Sequence, residues 1–436
     1  MVRSSAVKKI LPFLFLFAGV AVGALIPEYS KWINIMGKRL SSPDMATDYI
    51  IGVMWAVGIA ISIPFWPVAA SDKKHLLRLW MVRCTVTLGF MLYYEYHYPL
   101  DANSYHLIAS GQTFDFGRLD IGRGTDMIAG ILWTINHTLP TYDSYHALKV
   151  ISSLIGFLAV YLFYRGYVIY LGRPIQGLLY VLMLWPSILF WSSILGKDPV
   201  HLFGISLYVY GVIGWMKKHK TSYTVPMAIG LAINLGIRVW SAAIFIAPFG
   251  LVSLWRAKSM VRKIIMAIIF AYAAQFAIQK FIKQFEIETV SAIVKNTHSL
   301  SRSWNKGGSA RHAPAFTSLS SMIAFTPLGM FTALFRPLPG EVLNIFGVLA
   351  GFENLILLSM LLVAIKRGAL VALRDDLALW SLCLLLIWSA FYGFISFQNL
   401  GAAVRFRLQV LPILIGFILF LSSKTAQENV RLSRIS

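Results

Sequence analysis

The sequence predicts an all-α polytopic membrane protein, with about twelve transmembrane helices in one membrane domain that spans residues 1–436. Two observations predict this class. Of the 436 residues, 58% are hydrophobic and only 13% are charged, whereas an ordinary soluble domain is roughly 25% charged. Apolar runs also recur from residue 10 to residue 422, with no polar stretch long enough to form a separate soluble domain.

Each predicted helix rests on an apolar run near the length that crosses the hydrocarbon core, about 20 residues. The first run, 10–27, follows Lys8 and Lys9 and has no convincing cleavage pattern, so we expect an uncleaved helix. The stretch 225–255 could be one long helix or two short ones. Two helices broken around Arg238 place the basic residues that follow this stretch on the same side as those that precede it, which favours the break. The remaining runs are 47–70, 79–96, 147–170, 177–195, 199–216, 264–281, 342–365, 377–398 and 408–422.

The charge balance predicts an orientation. Lys and Arg number 39 against 18 Asp and Glu, which leaves a net charge of +21. About half of the basic residues fall on one predicted side together with both termini, and the excess of Lys and Arg in cytoplasmic loops makes that side the inside. We therefore expect a multi-pass protein of the inner (plasma) membrane. The other cations face outside, where they are available to an anionic partner, and this class of chain excludes nucleic acid as the partner.

Two predicted outer segments are too long to be simple connections. The first, 97–146, contains the apolar stretch 126–139, which is too short to span and is predicted to be an interfacial helix. The second, 282–341, has a basic, Ser- and Gly-rich stretch at 299–316 without apolar periodicity, which predicts a mobile loop. We expect that loop to become ordered when an anionic substrate binds.

The unusual polar residues fall on the predicted outer side, where a few carboxylates accompany many cations. Arginine can bind phosphate groups in a bidentate manner, and a carboxylate can remove the proton of an acceptor hydroxyl. This combination is typical of a site for a phosphorylated, lipid-linked donor. We choose Asp101 as the catalytic base. The substrate-binding candidates are Tyr105, His106, Lys197, Asp198, Arg238, Arg336, Arg405 and Arg407.

Ordinary structural roles compete with these assignments. Asp101 could instead cap a short interfacial helix, and Lys197 with Asp198 could form an ion pair in a tight surface turn. Arg238 could extend to the membrane surface. Glu353 lies deeper in a predicted span, and a packing hydrogen bond with Asn354 or with a neighbouring helix is the favoured interpretation for it.

The sequence does not predict a metal site. The nine histidines are scattered, without the His-x-x-x-His spacing or the carboxylate cluster that would indicate one. Cys84 and Cys383 both lie in apolar runs and give neither a disulfide framework nor metal-ligand spacing. We therefore expect no cofactor, although a divalent cation is left open.

Five motifs follow one another over about residues 80–420. They are Asp101-Ala102-Asn103-Ser104-Tyr105, Pro-Ser-x-x-x-Trp-Ser-Ser-x-x-x-Lys-Asp at 186–198, Leu235-Gly236-Ile237-Arg238, Arg-Pro-x-Pro at 336–339, and Asn-x-Gly-x-x-x-Arg-x-Arg at 399–407. Their order resembles the GT-C superfamily of integral-membrane glycosyltransferases, in particular its bacterial protein-mannosyltransferase-like and arabinosyltransferase-like branches.

The resemblance implies a GT-C-like fold, with two juxtamembrane helices in the first outer loop and an active site at the outer membrane face. It also implies a donor in which the sugar is carried by polyprenyl phosphate. By position in the motifs, Asp101 becomes the base, and the phosphate or sugar contacts become Lys197, Arg238, Arg405 and Arg407.

The first motif departs from the family pattern. An Asp-Asp or Asp-Glu pair is usual there, whereas Ala102 follows Asp101 in this chain. This departure leaves Asp115 and Asp120 as alternative bases.

Two other functions stay open. A polymerase or ligase for surface polysaccharide would join undecaprenyl-diphosphate glycans with the help of loop arginines, but the usual spacing of those loops is not evident after Arg302 or Arg311. A transporter for lipid-linked sugars would need polar groups through the middle of the bundle. We expect an interior that is sparse in charged residues, with Glu353 as the main exception.

Overall fold

A computed structural model describes residues 27–40, 42–98, 100–119, 121–256, 259–284, 308–311, 316–366 and 373–422, with single positions between 294 and 299. These residues are almost entirely helical. Within them, the β-pairing is limited to an isolated bridge between Ala310 and Asn399. The chain is therefore an all-α protein, as its apolar runs predict.

In the first half of the described chain, short helices alternate with long ones. They are α1 (27–36), α2 (Met45–Ser62), α3 (Ala70–Thr85), α4 (Met91–His97), α5 (Ala102–Ala109), α6 (Gly124–Thr138), α7 (Tyr145–Leu171), α8 (Gln176–Leu184), α9 (Pro186–Trp191) and α10 (Lys197–Lys218). A π-helical turn, Val86–Phe90, joins α3 to α4, so that these two form one continuous helix.

The second half of the chain continues the pattern. Its helices are α11 (Thr224–Ile237), α12 (Val239–Arg256), α13 (Met260–Gln284), α14 (Leu319–Phe335), α15 (Ile345–Lys366), α16 (Asp376–Ser396), α17 (Leu400–Arg407) and α18 (Leu411–Leu421). Six helices of the described chain are long and apolar enough to cross a bilayer: α2, the continuous α3–α4, α7, α10, α15 and α16. The bent pair α17–α18, with 71° between its halves, could be a seventh. The chain is thus a multi-pass membrane protein.

The predicted count of twelve spans is not reached in the described ranges. The first predicted span, 10–27, lies outside them except for its last residue. The run 177–195 divides into helices of nine and six residues, because Pro186 lacks a backbone donor and favours an extended residue before it. The stretch 225–255 does break at Arg238, but α11 and α12 are among the shorter apolar helices, and α13 is not among the span-forming ones. Counting apolar runs therefore overestimates the number of spans where a run forms short helices within the bundle.

The core is centred on α7 and α10, which pack along each other. Phe157, Phe163 and Tyr164 of α7 are fully buried. Gly204 of α10 faces Gly230 of α11, where a Cβ atom would collide with the Gly204 carbonyl. Small residues at a crossing allow membrane helices to approach closely.

Three helix breaks meet at one end of this core. The first is the turn 192–196 between α9 and α10. The second is Arg238, whose backbone is extended (φ −147°, ψ 104°) between α11 and α12. The third is the bend between α17 and α18. Because the chain leaves helical geometry at these points, polar side chains from distant parts of the sequence can turn toward one another.

The second long segment is described in part. Of the stretch 299–316, the structure describes residues 299, 308–311 and 316. The Arg311 amide donates to the Gln398 carbonyl at 2.8 Å, and the Leu400 amide donates to the Ser309 carbonyl at 3.1 Å. Residues 308–311 are therefore held against the chain that leads into α17, while most of the predicted mobile loop lies outside the described residues.

Candidate functional site

Asp198 lies at the centre of a cluster of charged side chains. It belongs to the first turn of α10, and its side chain is only 5% exposed. Its Oδ2 atom accepts a hydrogen bond from Arg405 Nε at 2.6 Å, and its Oδ1 atom lies 3.7 Å from Arg238 Nη2. One buried carboxylate therefore holds two arginines, one from the break between α11 and α12 and one from α17.

Aromatic rings orient both arginines. The Arg238 guanidinium lies 5.0 Å from the centre of the Phe406 ring and donates to the Tyr392 hydroxyl at 3.4 Å. The Arg405 guanidinium lies 5.6 Å from the centre of the Trp191 ring. Stacking on a ring fixes the plane of a guanidinium without using its N–H donors. Since the Arg405 side chain is 23% exposed, it can still bind an anion.

Lys197 and Asp101 complete the cluster. Lys197 Nζ donates to Thr125 Oγ1 at 2.8 Å and lies 5.9 Å from the centre of the Tyr105 ring. Asp101 interacts electrostatically with both Lys197 and Arg405. The short helices α5 and α6 of the first long segment are thereby brought to the start of α10.

Asp101 stands at the N-cap position of α5 but does not cap the helix. Its backbone is helical (φ −61°, ψ −19°), and its side chain makes no capping hydrogen bond. The residue is exposed. The interpretation of Asp101 as a capping aspartate is therefore wrong, and its carboxylate is accessible to a ligand.

Tyr105 lies beneath the cluster and is almost fully buried. Burial raises the pKa of its hydroxyl, and the negative charges of Asp101 and Asp198 raise it further, against the opposing effect of Arg405. The phenol therefore stays protonated at neutral pH, and it can donate a hydrogen bond but cannot act as a base.

The charges of the cluster suit a monoanionic ligand. Three cations, Lys197, Arg238 and Arg405, face two carboxylates, Asp101 and Asp198. A phosphodiester carries one negative charge, so its binding would bring the site to neutrality. The exposed Asp101 adds a carboxylate whose charge acts on both Lys197 and Arg405.

His106 lies apart from the cluster. One ring nitrogen, Nε2, is 2.8 Å from the Asp143 carbonyl, and the ring packs against Tyr145 with 5.5 Å between ring centres. These contacts tie α5 to the start of α7.

Arg336 also lies apart, in an ion pair. Its Nε atom donates to both carboxylate oxygens of Glu341, at 2.9 and 3.0 Å, and Arg311 approaches the same carboxylate at 3.5 Å. Burial by itself would raise the pKa of Glu341, but hydrogen bonds from Arg336 and from the Leu338 amide outweigh it and hold the pKa below the usual value. Arg336 is thus already neutralised.

Arg407 is fully buried. Its Nη1 atom donates to the Leu334 carbonyl at 2.6 Å and lies 3.5 Å from the Arg336 carbonyl. Both carbonyls belong to the C-terminal end of α14, where backbone acceptors lack helical partners. The structure therefore brings together six of the nine predicted site residues and places His106, Arg336 and Arg407 elsewhere.

Sequence reasoning missed a set of buried charges between α2, α4 and α7. Lys149 Nζ donates to Glu95 at 2.7 Å, and the Tyr145 hydroxyl donates to the same carboxylate at 2.8 Å. Asp48 lies 2.7 Å from a ring nitrogen of His146. The expectation of an interior sparse in charge is therefore wrong. The members of each buried pair are far apart in sequence. The one signal of them in the sequence is therefore an ionisable residue within an apolar run.

Glu353 makes the packing hydrogen bonds that the sequence favoured, to a neighbouring helix. Its Oε2 atom accepts from the Ser187 amide at 2.9 Å and from the Ser187 hydroxyl at 2.8 Å. Asn354 instead donates to the Pro337 carbonyl at 2.7 Å.

In the part of the chain that the structure describes, no group of three or more His, Cys, Asp or Glu residues could hold a metal ion. The chain matches none of the protein-family models, curated proteins or solved structures with which it was compared. The function is therefore inferred from the geometry of the site and from the motifs that supply its residues.

Proposed function

We propose that this protein is a GT-C-like glycosyltransferase, which moves a sugar from a polyprenyl-phosphate donor to an acceptor hydroxyl at the outer face of the inner membrane. The observation that carries the proposal is the meeting of Asp101, Lys197, Asp198 and Arg405 where three helix breaks converge. The order of motifs assigns the base and the phosphate contacts to residues of this same group.

In the proposed reaction, Asp101 removes the proton of the acceptor hydroxyl. The acceptor oxygen forms a bond to the anomeric carbon of the sugar while the bond from that carbon to the phosphate oxygen breaks. Polyprenyl phosphate leaves with the electron pair, and Lys197 and Arg405 stabilise the added negative charge. Asp198 fixes the position of Arg405, and Arg238 compensates the charge of Asp198.

The outer location is supported by the two ends of α10. Lys197 and Asp198 begin this helix of 22 residues, and Lys217 and Lys218 end it. The excess of basic residues in cytoplasmic loops assigns the second end to the inside. On that assignment the cluster faces outside, at the opposite end of α10.

The test uses purified protein in lipid nanodiscs, a set of polyprenyl-phosphate monosaccharides and an envelope extract as the source of acceptor. We expect one of the donors to release polyprenyl phosphate. Asp101→Asn is expected to lower turnover by about 10³-fold, without weakening donor binding to the same extent. Asp115→Asn, in the same outer segment, is the matched control. Wild-type turnover in Asp101→Asn would remove it as the base, and loss in Asp115→Asn or Asp120→Asn alone would transfer that role.

Two other results would replace the proposal. Joining of undecaprenyl-diphosphate oligosaccharides, with release of undecaprenyl diphosphate, would make the protein a polymerase or ligase of surface polysaccharide. Passage of labelled lipid-linked sugar across proteoliposomes without chemical change would make it a transporter. The buried pair of Lys149 and Glu95 is the structural feature that favours this last alternative.

A further inference from the structure

Arg83 is a buried arginine within the continuous helix α3–α4. Its Nε atom donates to the carbonyl and hydroxyl oxygens of Ser153 on α7, at 3.0 and 2.9 Å. Its Nη2 atom donates to the carbonyl and hydroxyl oxygens of Ser192, at 2.5 and 2.7 Å. Among the described residues, no carboxylate forms an ion pair with it.

A buried cation without a carboxylate is costly. The oxygens of Ser153 and Ser192 accept from Nε and Nη2, while Nη1 has no hydrogen-bond partner in the described structure. Ser192 directly follows α9, where the last carbonyls of a helix lack intrahelical partners and carry partial negative charge. Arg83 therefore binds the chain at the point where it leaves α9.

The surroundings of Arg83 are closely fitted to this contact. Gly156 of α7 faces it, and a Cβ atom there would collide with the Ser192 carbonyl and with the Arg83 guanidinium. Thr87, on the π-helical turn after Arg83, shares a hydrogen bond of 2.8 Å with the Ser153 hydroxyl. Helix α3, helix α7 and the turn after α9 thus meet at one guanidinium.

The turn that Arg83 holds leads directly into the cluster. It runs from Ser192 to Gly196, and Ile194 and Leu195 within it are buried. Lys197 and Asp198 follow at once. Because the turn is short and packed, a shift of Ser192 is transmitted to both charged residues.

We propose that Arg83 is a positioning residue for the Asp198 cluster. It holds the turn 192–196 against α7 and thereby sets where Lys197 and Asp198 stand relative to Arg405. Arg83 acts from within the bundle and does not touch the ligand. Neither the motifs nor the charge balance gives it a role, and its effect on turnover rests on the proposed function.

The first measurement is independent of activity. Amide hydrogen exchange is followed in nanodiscs for wild type, for Arg83→Lys and for the matched control Arg165→Lys, which alters an arginine of α7 that lies 3.6 Å from Asp72. Lysine keeps the charge but cannot bridge Ser153 and Ser192 with a planar fork of donors. We expect exchange in 192–198 to become about tenfold faster in Arg83→Lys alone. Unchanged exchange in that segment would overturn the proposal.

The second measurement uses the transferase assay. Arg83→Lys is expected to lower kcat by about 10- to 100-fold, with a smaller change in KM, because it misplaces reacting groups. Added to Asp198→Asn, it is expected to cause little further loss, since both changes remove the same alignment. If the fold-losses in kcat of the two single variants multiply in the double variant, Arg83 has a purely structural role and the proposal is overturned.

If Arg83→Lys does not fold, a less disruptive variant, Ser192→Ala, tests the same contact. Ser192→Ala removes one acceptor of Arg83 and keeps the carbonyl, so the same segment should exchange faster by a smaller factor. Faster exchange in a protein without any transferase activity would reject the proposed function and retain the positioning of the turn by Arg83.

Discussion

Arg405 and Arg407 stand two positions apart on α17, in opposite environments. Arg405 pairs with Asp198 at 2.6 Å and is partly exposed. Arg407 is fully buried and donates to the Leu334 carbonyl, and in the described structure its Nε and Nη2 atoms have no hydrogen-bond partner. One Arg-x-Arg motif therefore serves two regions, the Asp198 cluster and the buried end of α14.

A motif therefore cannot assign one role to both of its arginines. Residues two apart on a helix are rotated by about 200° around its axis and lie on nearly opposite faces. The two side chains therefore face different neighbours. Exposure and an adjacent carboxylate identify Arg405 as the candidate ligand contact. Burial against helix-end carbonyls identifies Arg407 as a structural residue.

The largest expected effect is on turnover in Arg405→Gln. The substitution removes the cation that would stabilise the leaving phosphate, so turnover should fall by about 10²- to 10³-fold. The melting temperature should fall by less than in a variant of the fully buried Arg407, because Gln can still donate a hydrogen bond to Asp198 and Arg238 remains 3.7 Å from that carboxylate. The assay is polyprenyl phosphate release, paired with thermal unfolding in nanodiscs. Retained turnover would show that Arg405 does not contact the donor.

The opposite pattern is expected for Arg407→Met. The Arg407 guanidinium donates to the last carbonyls of α14, and its positive charge acts on the buried Glu353. Removing it should therefore cost about 3 kcal/mol of stability. The fraction that folds should bind polyprenyl phosphate with nearly wild-type affinity. Thermal unfolding and equilibrium binding check the two halves of this prediction. A weaker affinity at an unchanged melting temperature would move Arg407 into the ligand site.

The contrast also shows how far the sequence could predict the site. Polar residues at breaks in apolar runs were enough to predict that Lys197, Asp198 and Arg238 lie at one end of the bundle. Their pairing with Arg405 depends on how α10 and α17 pack, which local patterns do not encode. The same limit hid the pair of Lys149 with Glu95, which lie 54 positions apart.

The fold was predicted unevenly for a related reason. Hydrophobicity predicted the all-α membrane class and the long helices α2, α7, α10, α15 and α16. It could not separate a span from a pair of short helices, because the break at Pro186 is a backbone effect within a continuous apolar run.

A smaller effect is expected for the ion pair that Arg336 makes outside the cluster. Because hydrogen bonds from Arg336 lower the pKa of Glu341, the pair contributes stability above the usual glutamate pKa and loses it as the pH falls through the lower folded-state value. Glu341→Gln should therefore melt below wild type at pH 7, and the difference should shrink below about pH 4. Donor binding should not change. A melting difference that is constant across the acid range would contradict this account.

The smallest effect on turnover is expected for His106→Gln. The ring packs against Tyr145 and contacts the Asp143 carbonyl, so the loss should be about 1 kcal/mol of stability. Turnover should stay within about threefold of wild type, because the ring lies apart from the cluster. A threefold change corresponds to less than 1 kcal/mol in the activation free energy. Steady-state kinetics with the active donor measures this. A large fall in turnover at unchanged stability would bring His106 back into the site.

The most direct test is a cryo-EM structure in nanodiscs with bound polyprenyl phosphate. We expect the phosphate within about 3 Å of Lys197 Nζ and of the Arg405 guanidinium, with the Asp101 carboxylate on the side where the sugar would stand. A phosphate bound instead beside Arg336 and Arg311, or beside Arg407, would show that the Asp198 cluster is not the donor site.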